Sequence, residues 1–159
     1  MTTAVIYFSK SGTTATVAKH IAKELDAPVE GIIRLGGGGV LAFFQEIAQS
    51  LSGKQPAIQP LSLDVSAYDR VILGTPVWAG HVSSPVTSFL AQYGGGIQSA
   101  AAFITHGDPQ NPYTGVFEQL QTMLGKKLDA TFSASTRDVK AGAYDLSNFL
   151  TALRTDDAE

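Results

Sequence analysis

The sequence predicts an α/β fold, a three-layer α/β/α sandwich in which helices cover both faces of a five-stranded parallel sheet. Short apolar runs alternate along the chain with segments of helical periodicity, and this alternation is typical of a parallel sheet. The chain has 159 residues, the size of one domain. Because crossovers between parallel strands are right-handed, few topologies remain, and we expect the doubly wound strand order 2-1-3-4-5.

The first third of the chain predicts two strands and two helices. Ala4–Phe8 is a short, continuous apolar run, as expected for a strand buried on both faces. From Thr13 to Leu25, apolar residues recur every fourth position, which indicates an amphipathic helix. The second strand is predicted at Val29–Leu35. The glycine run Gly36–Gly39 follows it, and helical spacing then extends from Val40 to Leu51.

The rest of the chain predicts three more strands, each followed by an amphipathic helix. These strands are Arg70–Thr75, Ala100–Thr105 and Leu128–Ala134. The helix after the third strand begins after Pro85, and the helix after the fourth strand ends near Gly125. The last helix covers Leu146 to Leu153. We expect a single domain over residues 1–159, with a frayed polar tail at Thr155–Glu159.

Composition excludes several classes of function. The chain has no cysteine, which excludes disulfides, thiolate metal sites and cysteine nucleophiles. Its net charge of −3 argues against a nucleic-acid partner, since such proteins usually carry a basic face. Neither a signal-peptide pattern nor a long apolar stretch is seen in the sequence, so we expect no membrane partner and a cytoplasmic location.

The turn after the first predicted strand is rich in hydroxyl groups and contains no acid. Five such residues surround Gly12, namely Ser9, Ser11, Thr13, Thr14 and Thr16. The start of a helix offers unpaired N–H groups and a partial positive charge, which bind phosphate. The sequence therefore predicts a phosphate site here. The simpler alternative is that one hydroxyl residue only caps the helix.

Three known kinds of phosphate site do not match this turn. A nucleoside triphosphate loop needs a lysine after its last glycine, but Lys10 precedes Gly12. A dinucleotide-binding turn needs more than one glycine. A phospho-acceptor domain of the same strand order would need carboxylates where this chain has Ser9 and Thr75. The pattern favours a phosphate that is held and not transferred.

Two further loops meet this turn in the predicted strand order, because they follow the third and fourth strands. The first of them carries Trp78, the single tryptophan of the chain. At this position a flat ligand could stack on Trp78, although the same residue could instead belong to the core or plug the loop. The other loop carries Gly107, where a backbone can approach a ligand closely, and Tyr113, a possible second wall.

These segments resemble those of the flavodoxins, in particular short-chain flavodoxin-like FMN-binding proteins. The resemblance covers essentially the whole chain and rests on YFSKSGTTATVAKHIAKEL, YDRVILGTPVWAGHVSSPVTSFL and the third loop. The flavodoxin phosphate motif T/S-x-T/S-G-x-T is matched by Ser9, Ser11, Gly12 and Thr14. The resemblance implies a flavodoxin-like fold and FMN as cofactor, with its phosphate in the first loop and its ring between the other two.

The resemblance also implies which residues bind FMN. In the first loop they are Ser9, Lys10, Ser11, Gly12, Thr13 and Thr14; in the second, Thr75, Pro76, Val77, Trp78, Ala79, Gly80 and His81; in the third, His106, Gly107, Asp108 and Tyr113. No catalytic residue is predicted. Two histidines without nearby carboxylates do not suit a metal site, so no metal is expected.

The chain departs from acidic flavodoxins around the expected flavin ring. No acid follows Trp78 before Ser84, and Asp108 is the one acid of the third loop. We therefore expect the reduced flavin to be repelled less, with a less negative final reduction potential. His81 or His106 could neutralise the reduced ring, or both could simply bond backbone or water.

Three functions remain open from the sequence. The favoured one is an electron carrier between redox partners, whose partner is a redox protein or an NAD(P)H-dependent reductase. The alternative is an FMN-dependent NAD(P)H oxidoreductase that reduces a quinone-like acceptor by two-electron transfer. Here Ala79 separates Trp78 from Gly80, which keeps the two-electron alternative open. The third function is an interaction module without bound flavin.

The segment Gly36–Gly53 is longer than a simple strand-to-helix connection requires. The simpler interpretation is that its apolar residues pack on the sheet. A second hypothesis is that Phe43 or Phe44 projects toward the flavin or toward a second copy of the chain, with the glycine run as hinge.

Overall fold

A parallel sheet with helices on both faces forms the centre of the computed structural model, which describes residues 1–36, 40, 41, 44, 47, 48 and 55–158. The strands are β1 (Thr3–Tyr7), β2 (Val29–Gly31), β3 (Arg70–Trp78), β4 (His81–Val82), β5 (Ser99–His106) and β6 (Thr131–Ser135). The helices are α1 (Thr13–Leu25), α2 (Ser84–Tyr93), α3 (Thr114–Leu124), α4 (Thr136–Ala141) and α5 (Ser147–Asp156). Short 3₁₀ turns cover Val65–Ala67 and Gly94–Gly96.

The strand order confirms the predicted topology. The sheet runs β2-β1-β3-β5-β6, and every neighbouring pair on this path is parallel. The additional strand β4 pairs antiparallel with the end of β3. Without β4, the order is the expected 2-1-3-4-5, and the carboxyl ends of β1, β3 and β5 lie side by side.

The core has two layers, one on each face of the sheet. Neighbouring residues of β1 point to opposite faces, as the period of a strand requires. Ile6 packs with apolar residues of α2 and α3, whereas Val5 packs with those of α1 and α5. Both side chains are fully buried. This explains why the sequence of β1 does not alternate between apolar and polar residues.

Several predicted boundaries are wrong. The second strand is shorter than Val29–Leu35: β2 ends at Gly31, and Arg34 instead forms an isolated antiparallel bridge with Ile58. The third strand is longer, because β3 continues to Trp78 to pair with β4. The helix α4 was not predicted. It has six residues, too few to repeat an apolar pattern, and the Ser135 hydroxyl caps it by accepting from the Asp138 N–H.

A buried arginine contacts the end of the chain. Helix α5 continues to Asp156. Arg70 is 1% exposed, and its guanidinium lies 3.0 Å from carboxylate oxygens of both Asp129 and Asp157. It also donates to the Leu153 carbonyl at 3.2 Å. A buried charge needs such partners, so the first residue of β3 ties α5 to the sheet.

The hypothesis on Phe43 and Phe44 falls mostly on residues that the structure does not describe. Most of Gly36–Gly53, including Phe43, lies outside the described residues, and Phe44 is 63% exposed.

None of the helices in the described part of the chain has the length and apolarity needed to cross a lipid bilayer.

The substitution Gly74→Ala tests the packing between β3 and β5. A Cβ at Gly74 would lie 2.2 Å from Cζ of the fully buried Phe103 ring. We expect Gly74→Ala to lower the free energy of unfolding by about 2 kcal/mol, since the core cannot absorb the methyl group without moving the ring. Urea unfolding measures this loss.

The Phe103→Leu background is the matched control. Leucine lacks the ring atom that meets the new methyl group, so Gly74→Ala should cost about 1 kcal/mol less there than in the parent chain. An equal cost in both backgrounds would show that the Phe103 ring is not the obstacle.

Candidate functional site

The three expected loops meet at a cavity of about 210 Å³ at the carboxyl ends of β1, β3 and β5. It is lined by Lys10, Ser11, Thr13, Thr14, Pro76, Val77, Trp78, Thr105, His106, Gly107 and Thr136. We call it the loop cavity. Nine of these eleven residues belong to the predicted set; Thr105 and Thr136 do not. Lys10 is the one lysine or arginine in the lining, which contains no acid, so the cavity suits an anionic ligand.

The remaining predicted residues lie around the loop cavity. Ser9 and Gly12 line a neighbouring cavity of about 380 Å³ together with Tyr7 and Gly31. Thr75 is fully buried, and its hydroxyl lies 2.8 Å from the Ser83 hydroxyl. Ala79, Gly80 and His81 form the turn and the start of β4. Asp108 is exposed, and Tyr113 lies against His106.

Gly12, and not a hydroxyl residue, caps the N-terminus of α1. Its φ of 95° is in the left-handed region that favours glycine, and no side chain makes a capping hydrogen bond. The alternative that a hydroxyl residue only caps this helix is therefore wrong. The Ser9 hydroxyl accepts from the Gly12 N–H at 3.1 Å, and the first turn of α1 contains no acid. The hydroxyl groups of this loop and the first N–H groups of α1 therefore lie together at the start of the helix, as a phosphate site requires.

A buried hydroxyl pair joins the first loop to β5. Thr14 Oγ1 lies 2.8 Å from Thr105 Oγ1, and both residues are buried. This contact links residues 91 positions apart in the chain, so sequence periodicity does not reveal it. It fixes the start of α1 against the floor of the loop cavity.

Trp78 lines the loop cavity but is only 7% exposed. Its ring meets the Phe8 ring edge to face, with the centroids 5.5 Å apart, and Lys10 Nζ lies 5.9 Å from its centroid. Such an ammonium is attracted to the indole face. Trp78 thus combines two of the expected roles, as part of the core and as a wall of the cavity. Its contact with Lys10 is one that a stacked ligand would replace.

The turn after Trp78 is a two-residue hairpin connection with both residues in the left-handed region. Ala79 has φ 50° and Gly80 has φ 78°, and Trp78 pairs with His81 across the turn. Two positive φ angles match the hairpin type that fits the strand twist. Glycine adopts them freely, but alanine is strained by about 1–2 kcal/mol. The strain lies directly beside the loop cavity.

Gln119 of α3 holds this hairpin with both ends of its side-chain amide. Its Nε2 donates to the Gly80 carbonyl at 3.1 Å, and its Oε1 accepts from the Val82 N–H at 3.1 Å. Together the two bonds bracket His81. Gln119 was not predicted from the sequence, because a half-exposed polar residue on a helix such as α3 carries no motif.

His106 forms the opposite wall of the loop cavity and is 5% exposed. Its Nε2 lies 2.9 Å from the Ser133 hydroxyl, and its ring centroid is 5.1 Å from that of Tyr113. Its Nδ1 is buried without a hydrogen-bond partner in the described part of the chain. A buried polar atom without a partner costs about 1–3 kcal/mol, so this atom is suited to a hydrogen bond with a ligand.

His106 also lines a larger cleft of about 510 Å³. Its polar lining includes Asn111, Ser133, Asp138 and Tyr144. Burial raises the pKa of the Tyr144 phenol. Within the described residues, no group of three or more histidine or acidic side chains could hold a metal ion.

Comparisons with known proteins agree with this geometry. The sequence profile of a family described as NADPH-dependent FMN reductase matches residues 1–122. A flavoprotein from Lactobacillus acidophilus NCFM, solved in complex with FMN, superposes with a TM-score of 0.70 at 21% identity, over 88% of this chain and 97% of that chain. No curated protein matches the sequence.

Two further solved structures share the fold. The Trp repressor binding protein from Bacillus subtilis has a TM-score of 0.61 at 16% identity, over 91% of this chain and 95% of its own. An NADH:FMN oxidoreductase in its apo form has a TM-score of 0.59 at 15% identity, over 98% of this chain and 88% of its own. At such identities the likeness shows the fold.

The strain at Ala79 is testable. Ala79→Gly should raise the free energy of unfolding by about 0.5–1 kcal/mol, because relief of the left-handed strain outweighs the greater freedom of glycine in the unfolded chain. The matched control is Ala91→Gly at an exposed position of α2, where the same change should destabilise by about 0.5–1 kcal/mol. Urea unfolding followed by Trp78 fluorescence measures both. Destabilisation by both substitutions would mean that the Ala79 conformation carries no strain.

Proposed function

Since the chain belongs to the family of NADPH-dependent FMN reductases, we propose that it is an FMN-containing oxidoreductase. It takes two electrons from NAD(P)H and passes them to a small quinone-like acceptor. The sequence alone favoured an electron carrier, but the family match favours the enzyme, which was the first alternative. Membership of the flavodoxin-like FMN-binding proteins, with FMN as the cofactor, is confirmed.

The observation that carries the proposal is the composition of the loop cavity. It combines an acid-free hydroxyl loop, an aromatic wall and a buried histidine at the carboxyl ends of adjacent strands. Ser11, Thr13 and Thr14, with the first N–H groups of α1, would hold the FMN phosphate. Trp78 and His106 would form the walls on either side of its flavin ring.

FMN supplies the redox chemistry when bound, since it accepts a hydride from a nicotinamide and delivers two electrons onward. The chain contributes position and electrostatics. The Thr14–Thr105 pair and the Gln119 amide hold two of the three loops in fixed positions. Because no acid lines the cavity, the walls do not repel an anionic reduced ring.

The experiment that tests the proposed function uses the purified protein loaded with FMN. In the absence of oxygen, NADPH or NADH should bleach the flavin absorbance at 450 nm, and an added quinone should restore it. The control is free FMN at the same concentration with the same reductant. A protein that binds FMN but is reduced no faster than free FMN by either nucleotide would contradict the enzyme and support the carrier.

The charge of Lys10 gives a second test, based on the phosphate group. Lys10 is the one lysine or arginine of the loop cavity, and an exposed ion pair contributes up to about 1 kcal/mol. Lys10→Met should therefore weaken FMN binding about fivefold. Riboflavin lacks the phosphate, so its affinity should stay constant or rise, because Lys10 no longer covers Trp78.

Fluorescence titration of both flavins at low ionic strength measures the ratio of their dissociation constants. Lys19→Met is the matched control, because Lys19 is exposed on α1 and removes the same charge outside the cavity lining. Lys10→Arg should keep the ratio near that of the parent. An equal loss of affinity for FMN and riboflavin in Lys10→Met would show that Lys10 does not act on the phosphate.

A further inference from the structure

Ser133 of β6 lies between His106 and a backbone carbonyl, although no sequence motif marks it. Its Oγ is 2.9 Å from His106 Nε2 and 3.2 Å from the Pro112 carbonyl oxygen. A carbonyl oxygen only accepts, and a serine hydroxyl has one hydrogen to donate. When the hydrogen points to Pro112, the serine oxygen accepts from His106, and both contacts are satisfied at once. This arrangement places the ring proton of His106 on Nε2.

A neutral imidazole with its proton on Nε2 presents Nδ1 as an acceptor. This is the atom that is buried without a partner in the described part of the chain. Native structures pair nearly all such buried groups, and the exceptions call for an explanation. The ring lines the loop cavity, so the missing partner is best supplied by what binds there.

We propose that Ser133 is a positioning residue, which holds His106 as the Nε2–H tautomer so that Nδ1 accepts a hydrogen bond from the flavin. This inference rests on the proposed function, since it requires FMN in the loop cavity. The donors of a flavin are its one ring N–H group and the hydroxyls of its ribityl chain. Its phosphate and ring carbonyl oxygens only accept, so they do not fit Nδ1.

The tautomer therefore constrains how the flavin lies. The phosphate is directed to the hydroxyl groups of Ser11, Thr13 and Thr14, and a donor edge or ribityl hydroxyl is directed to His106. With the proton on Nδ1, the same side chain would select an acceptor instead, and the preferred orientation of the ring would change. Ser133 acts on the ligand only by selecting the tautomer of His106.

The tautomer can be observed directly by nitrogen NMR of the protein labelled at histidine. The chain has three histidines, and the spectra of His20→Asn and His81→Asn assign the remaining signals to His106. Before FMN is added, Nε2 should carry the proton and Nδ1 should show the shift of an unprotonated nitrogen. Saturation with FMN should move the Nδ1 signal in the direction of hydrogen-bond acceptance. A proton on Nδ1 in the free protein, or an unmoved Nδ1 signal with FMN bound, would overturn the proposal.

Variants of Ser133 separate positioning from a general structural role. Ser133→Ala should give a mixture of His106 tautomers and weaken FMN binding about fivefold, the effect of losing one hydrogen bond. Ser133→Thr keeps the hydroxyl and should restore both. Thr131→Ala is the matched control, since it removes an exposed hydroxyl from the same strand. If Ser133→Ala keeps a pure Nε2–H tautomer and full FMN affinity, Ser133 has no positioning role.

Two substitutions of His106 test which nitrogen meets the flavin. An asparagine can place its amide oxygen near the position of Nδ1, whereas a glutamine places its amide near Nε2. His106→Asn should therefore retain more FMN affinity than His106→Gln, and the reverse order would count against Nδ1 as the contact atom. If the absorbance spectrum of FMN does not change when the protein is added, the protein binds no FMN. That result overturns both proposals. FMN binding without reduction by NAD(P)H overturns the proposed enzyme alone.

Discussion

The parallel pairing of β3 with β5 is the constraint on which the rest of the molecule depends. The two strands pair from Arg70 with Ser99 to Pro76 with Thr105, and Gly74 lies opposite Phe103. Because glycine has no side chain, the Phe103 ring lies across it and fills the space between sheet and helices. The strands therefore leave the sheet side by side. Their ends deliver the tryptophan wall and the histidine wall of the cavity to the same place.

The opposite end of the sheet serves stability and not the site. There Arg70 gathers carboxylates from the connection before β6 and from the end of α5. Binding chemistry and structural charge pairing thus occupy different ends of the same strand. The three acids paired with Arg70 therefore lie at the end of the sheet away from the loop cavity.

The fold was largely predictable from the sequence, because its signals are local. The helical period of α1 gives its two ends correctly, Thr13 and Leu25, and the apolar runs give the strand order. Short elements were less accessible. Strand β4 has two residues and α4 has six, so neither repeats an apolar pattern often enough to be recognised in the sequence. Their bounds are decided by hairpin geometry and by a serine cap.

Only those parts of the site that carry a sequence motif were predictable. The hydroxyl turn and the loop of Trp78 stand out in the sequence, and the structure brings them together. The supporting contacts join residues far apart in the chain: Thr14 with Thr105, Gly80 with Gln119, and His106 with Ser133. No period or composition marks such pairs. The burial of Trp78 on Phe8 is likewise a property of the folded chain alone.

The amide of Gln119 also explains how a strand as short as β4 keeps its outer edge closed. The Val82 N–H and the Gly80 carbonyl are bonded to this amide in place of another strand, and an open edge would invite pairing with a foreign chain. The same amide joins the hairpin to α3, the helix that follows the His106 loop. Tyr113 precedes α3 and its ring contacts that of His106, so the helix touches both walls of the cavity. Separation of the hairpin from α3 would break both hydrogen bonds of Gln119.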